Sequence, residues 1–128
     1  MDAPTLPVPA YLNLRAYRHA GALASELFWI TRGFPTAEKD ALTLQLRQTT
    51  RAVTNGIATS WAVRYSAAEF RARLSEAQCA CSRLHYWIEQ AHAAGYLHEA
   101  EYRALLDQRT TLDLLLARLR NQRISLLD

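Results

Sequence analysis

Residues 16–30 read Ala-Tyr-Arg-His-Ala-Gly-Ala-Leu-Ala-Ser-Glu-Leu-Phe-Trp-Ile, and only Arg18, His19, Ser25 and Glu26 among them are polar. A helix that buries a single stripe keeps roughly half its positions polar. This stretch has apolar side chains to spare. Leu14, Tyr17, Gly21, Ala24 and Phe28 recur at three-and-four spacing, and Ala16, Ala20, Leu23, Leu27 and Ile30 form a second stripe beside them. Two apolar faces predict one inside a bundle and one against a partner surface.

Working outward, the spacing predicts a first helix over 10–32. Gly33 is its C-terminal stop, and Pro35 is unable to continue it but able to start the next. A second helix is expected from Thr36 to Thr59 or a little beyond, with Leu42, Leu46, Val53 and Ile57 buried. Its middle is weak, since Thr49, Thr50, Val53 and Thr54 are β-branched and Gly56 costs about 1 kcal/mol against Ala. Period-2 alternation is absent, so a strand is disfavoured. Gly56 is read as a point of close helix approach in preference to a hinge. Ser66-Ala67-Ala68-Glu69 has the pattern of a capping box and opens a third helix over 67–94, ended by Gly95. Phe70, Leu74, Ala77, Cys81, Leu84 and Ile88 lie on one face, and Ala80, Trp87 and Ala91 form a small-residue seam beside it.

After Gly95-Tyr96-Leu97 comes a fourth helix. Glu99 and Glu101 stand at its start and Arg118 and Arg120 at its end, which complements the helix dipole. Tyr102, Leu105, Leu112, Leu116 and Leu119 repeat as an a/d seam. Short loops between long helices make neighbours antiparallel. The expected fold is all-α: an up-down-up-down four-helix bundle over 10–123, with an extended arm at 1–9 and a tail at 124–128.

The chain has 128 residues, half of them hydrophobic, enough to bury one core without disulfides or metals. No apolar run approaches the roughly 18–20 residues that span a bilayer. The first nine residues have neither the basic nor the apolar region of a signal peptide. The cytoplasm is the expected location. Cys79 and Cys81, about 200° apart on a helix, cannot bridge each other. Both read as small core thiols. Cys81 and His85 stand at i,i+4, but a closed zinc site needs four ligands, so no metal is expected.

No phosphate loop, serine elbow or zinc-spaced His-Glu pair is present. Glu89-Gln90-Ala91-His92 matches the di-iron Glu-x-x-His motif once, where such bundles need it twice. His19, His85, His92 and His98 are read as surface or interface residues. No enzyme and no cofactor are expected.

Charge is more informative. Fourteen Arg and one Lys stand against twelve acids, for a net charge of +3. Between Ala41 and Ala68 there is no acid, while Arg47, Arg51 and Arg64 lie there; Arg71 and Arg73 follow after Glu69 alone. Arg47 and Arg51, at i,i+4, should project side by side. Together these five arginines form a candidate phosphate-binding patch, against the plainer alternative of a solvated polar face. Trp61 and Tyr65 flank Arg64 and could stack on unpaired bases or staple the loop. Arg118, Arg120 and Arg123 make a second basic group. Trp29 cannot share one core face with both Phe28 and Ile30, and Tyr86 adjoins Trp87. Trp29, Tyr86 and Trp87 are therefore expected at a subunit contact.

The order of several motifs resembles that of the 23S rRNA intervening-sequence family, from about Leu14 to Leu119. These are the opening helix at 14–20; Phe34, Pro35 and Glu38; Leu42, Thr43, Gln45, Leu46 and Arg47; Arg64, Ser66, Glu69 and Phe70; Leu74 and Ala77; and the Gly95-Tyr96-Leu97 turn. The chain departs from that pattern at 56–60, Gly-Ile-Ala-Thr-Ser here against Asn-Ile-Ala-Glu-Gly, and at Gln48, Ala52 and Arg83. Residues 83–87 also resemble the accessory variability proteins of diversity-generating retroelements. The resemblance implies a ring-shaped homopentamer, and its accessory branch implies binding of RNA or DNA. The alternative is a structural module whose protein partner docks on the ring or on the Leu-rich fourth helix.

Overall fold

The computed structural model describes Tyr11 and residues 14–122. The arm expected at 1–9, the tail at 124–128, the helix start at Ala10 and Arg123 lie outside the described residues. Among those described there are four α-helices and no strand: α1 Arg15–Thr31, α2 Leu42–Ala62, α3 Ala67–Ala93 and α4 Glu99–Arg120. They pack as a bundle. α2 lies most extensively against α3, α3 against α4, and α1 touches both α2 and α4.

The two stripes of α1 divide as their excess apolarity requires. Ala16, Ala20, Leu23 and Leu27 are buried, with Thr31 completing the row in place of the half-buried Ile30. The second stripe, from Leu14 to Ala24, is half-buried and ends in the exposed Phe28. Thr31 is tolerated in the core because its hydroxyl donates to Leu27 O at 2.7 Å.

Gly33 does not stop α1 through a left-handed conformation; the only positive φ among the described residues is at Gly95, 81°. The chain leaves α1 through turns from Gly33 N–H to Ile30 O and from Phe34 N–H to Thr31 O. Extended Pro35 then ends the spiral. At Gly95 the left-handed residue lets Tyr96 N–H reach Ala91 O at 3.0 Å, closing α3 in a Schellman turn.

The second helix starts six residues later than its pattern predicts. Thr36–Glu38 form a single 3-10 turn, and Ala41, at φ −122° and ψ −105°, breaks the path into α2. Glu38 holds this break. Its carboxylate accepts Leu42 N–H at 3.4 Å and the Tyr96 hydroxyl at 2.9 Å, tying the start of α2 to the α3–α4 turn. The weak middle of α2 is helical after all. Thr49, Thr50, Thr54, Thr59 and Ser60 each donate a hydroxyl to a carbonyl three or four residues back, which satisfies the polar groups the core would otherwise orphan.

Ser66 accepts Glu69 N–H at 3.2 Å, so half of the expected capping box forms. The Glu69 carboxylate turns instead to Arg73. In α4 the seam of Leu105, Leu112, Leu116 and Leu119 is buried, with Leu115 beside it. Arg109 interrupts it, donating to Cys81 O at 3.5 Å.

The two cysteines differ, against the reading that placed both in the core. Cys79 is exposed; Cys81 is buried. Burial pushes the Cys81 thiol up to about 11, with the Arg109 charge opposing. At pH 8 only about one Cys81 in a thousand is then a thiolate. A thiol reagent should therefore label one cysteine per folded chain, Cys79, and two in denaturant. Two fast equivalents from folded protein would refute this packing.

Candidate nucleic-acid interface

The turn between α2 and α3 builds an aromatic platform around a guanidinium. Arg64 lies over both flanking rings, 5.1 Å from the Trp61 centroid and 4.6 Å from that of Tyr65. Nη1 donates to Trp61 O and Nη2 to the Tyr65 hydroxyl, each at 2.9 Å. Trp61 packs edge-on to buried Phe70, ring centroids 6.4 Å apart, and so fastens the turn to the core. Tyr65 is 70% exposed. The two aromatics thus split the roles the sequence left open to either: Trp61 staples, and Tyr65 offers its surface.

The five arginines expected to form one patch sit in different surroundings. Arg51 and Arg71 are exposed and make no side-chain hydrogen bond or ion pair among the described residues. Arg47 turns inward. Its Nε donates to Thr31 Oγ1 at 2.9 Å and Nη2 to Phe28 O at 3.4 Å, and its guanidinium covers the Phe28 ring at 4.5 Å. That places a cation on the carbonyl end of α1, where the helix dipole favours it. Arg47 therefore braces α1 against α2 and does not stand free beside Arg51. Arg73 bridges Glu69 at 3.3 Å and Glu76 at 2.8 Å. Such exposed pairs add little stability, but they offset its charge toward an anion. Of the five, only Arg51 and Arg71 are both exposed and unpaired among the described residues; Arg64, like Arg47, binds a carbonyl and a hydroxyl. A spacing pattern could not separate Arg51 from Arg47, whose partners lie on another helix.

Of the aromatics expected at a subunit contact, Trp29 is 63% and Tyr86 54% exposed. Arg32 lies 4.9 Å over the Trp29 ring. Trp87 packs partly against the core, with the Tyr86 ring edge-on at 4.8 Å. It also lines a cleft of about 440 Å³ with Glu38, Leu42, Gln45 and Gln90.

Of the two histidines in α3, His92 bridges to α4 and His85 pairs within its own helix. His92 stacks on Tyr102 at 3.7 Å and meets Glu99 at 3.3 Å, while His85 meets Glu89 at 3.1 Å. The Tyr102 hydroxyl donates to Glu89 Oε1 at 2.7 Å, the main cause holding that carboxyl below its usual range. No group of three or more His, Cys, Asp or Glu among the described residues is placed to hold a metal. No helix among them is long and apolar enough to cross a membrane.

Comparison with known proteins agrees with this architecture. A crystal structure of a protein of unknown function from the S23 ribosomal protein family of Bacteroides thetaiotaomicron superposes with a TM-score of 0.74 at 16% identity, covering 84% of this chain and 96% of that one. No curated protein is detectably similar. Neither that neighbour nor the matching family model, 23S rRNA-intervening sequence protein, is described by a catalysed reaction. The family model matches residues 12–118, nearly the whole bundle, and the chain belongs to the 23S rRNA-intervening sequence protein family.

Proposed function

We propose that the protein is a non-enzymatic nucleic-acid-binding bundle that grips RNA or DNA through backbone phosphates with little base selectivity. The observation that carries this reading is the Arg64 platform. A guanidinium held against an exposed tyrosine, on a stretch of 28 residues without an acid, suits a phosphate beside an unstacked base. Arg51 and Arg71, exposed and unpaired among the described residues, add charge without opposition. Arg47 and Arg73 contribute less, being committed to Thr31 and to two carboxylates.

The same proposal has the helices antiparallel, up-down-up-down, and the bundles joined in a ring-shaped homopentamer in the cytoplasm. Contacts running in opposite sequence order support the antiparallel part: Ser75 with Arg120, Cys81 with Arg109, Glu89 with Tyr102. Exposed Trp29 and Tyr86 supply apolar surface for subunit contacts. Two free thiols suit a reducing compartment. A protein partner on α4 is the second reading, favoured by Leu114 at 56% exposure.

The test is fluorescence anisotropy of labelled single-stranded RNA across a salt series. Wild-type affinity should fall steeply with salt. In R51Q/R71Q the log–log slope should flatten by about 1.4, and affinity at low salt should drop about tenfold. An unchanged slope in a folded variant would overturn the patch, and absence of binding by wild-type protein would overturn the function.

A further inference from the structure

Three arginines line two hollows that share Arg15, one between the start of α1 and the end of α4 and one on the first turns of α1 alone. One hollow, of about 320 Å³, is walled by Arg15, Arg118 and Gln122 over a floor of Leu14, Leu115 and Leu119. The other, of about 280 Å³, is walled by Arg15, Arg18 and His19. Arg15 is common to both, and among the described residues neither has an acidic lining side chain.

Many of the other guanidiniums have structural partners, Arg51, Arg71 and Arg83 excepted among the described residues. Arg73 and Arg103 pair with carboxylates, Arg47 and Arg64 bind carbonyls and rings, and Arg120 donates to Ser75 Oγ at 3.0 Å. Arg15, Arg18 and Arg118 make no side-chain hydrogen bond or ion pair among the described residues. Nor do Arg15 and Arg18 serve their own helix: they occupy its first turn, which the dipole makes the unfavourable end for cations. Three like charges around a concave surface repel one another. An anion between them removes that repulsion.

We propose that this α1–α4 cleft is a second phosphate-binding site, in which Arg15, Arg18 and Arg118 hold consecutive phosphates of a nucleic-acid strand. Each guanidinium fork can meet two phosphate oxygens at once, and the leucine floor weakens screening by water. Two hollows sharing one arginine fit two neighbouring phosphates better than a single compact anion. In the antiparallel order proposed above, this cleft and the Arg64 platform share one end of the bundle, while Glu38, Asp40, Glu99 and Glu101 cluster toward the other. The identity of the ligand rests on the proposed function; the capacity to bind phosphate does not.

The experiment uses full-length protein and two probes, inorganic tripolyphosphate by titration calorimetry and labelled single-stranded RNA by anisotropy. Wild-type protein should bind tripolyphosphate at low salt. R15Q/R118Q, with helicity checked by circular dichroism, should bind both probes about tenfold more weakly. R103Q, which removes a guanidinium paired with Glu99 at the other end of the bundle, should keep its tripolyphosphate affinity. No tripolyphosphate binding by wild-type protein, or undiminished binding by folded R15Q/R118Q, would overturn the cleft. Loss of tripolyphosphate with full RNA affinity in R15Q/R118Q would overturn the strand as its ligand. Unchanged RNA affinity in R51Q/R71Q would count against the α2–α3 patch alone and leave the cleft standing.

Discussion

Replacing Phe70 with Ala is expected to destabilise the protein by about 4 kcal/mol and to loosen the Arg64 platform in the molecules that remain folded. Phe70 is completely buried and sits one turn into α3, where its N–H closes on Ser66 O at 2.9 Å. Truncation leaves a phenyl-sized void in the core, lined in part by Trp61. The indole has no polar tether to resist this, because Trp61 Nε1 is buried without a hydrogen-bond partner. Only packing holds the ring in place, and Arg64 rests on that ring. Denaturant titration should show the lost stability as a lower midpoint with an unchanged slope. RNA anisotropy, measured well below the transition, should show weaker binding, by no more than R64Q itself loses. Phe70→Leu, which nearly conserves volume, should cost under about 1.5 kcal/mol and keep the affinity. Stability within 1 kcal/mol of wild type in Phe70→Ala would mean that the turn is not anchored through this contact.

Helix number and the major core faces were legible because apolar spacing is a local property of the chain. Leu23, Leu27, Leu46, Ile57, Phe70 and Leu84 all fall where periodicity puts them, and each is buried. The start of α2 was not legible. Helical spacing runs unbroken from Thr36, while the break at Ala41 depends on Glu38 being drawn to Tyr96, 58 residues away. The binding patch illustrates the same limit. Arg47 and Arg51 look equivalent on a helical wheel, and only the carbonyl end of α1 distinguishes them. The basic cleft was half visible: Arg118 stood out in a terminal cluster, but nothing local links it to Arg15. Its partner is set by how α1 returns against α4. Cys79 shows the converse error. Both cysteines were read as core thiols from residue type, yet the roughly 200° between them turns Cys79 to the side opposite buried Cys81.

Gly56→Ala should destabilise the fold by about 2 kcal/mol, although Ala is the better helix former by about 1 kcal/mol. The reason is the facing residue. A Cβ built on Gly56 would lie 2.9 Å from Ala77 Cβ and 3.3 Å from Ala77 Cα. The second of these is backbone and cannot rotate away. α2 and α3 would have to separate along the most extensive helix contact in the bundle, and rigid close packing transmits that shift to Val53, Ile57 and Leu74. Steric cost therefore exceeds the propensity gain. Ala77→Gly tests the cause directly. Alone it should destabilise, through lost helix propensity and a methyl-sized void. Combined with Gly56→Ala it transfers the methyl group from one helix to the other and relieves the Cβ–Cβ clash. The double-mutant cycle should then give a favourable coupling of about 1–2 kcal/mol. Two results would reject this account: a Gly56→Ala protein more stable than wild type, or strictly additive effects. Either would mean that Gly56 provides backbone freedom in α2, which is the hinge its sequence also allowed, and not the space that brings α3 close.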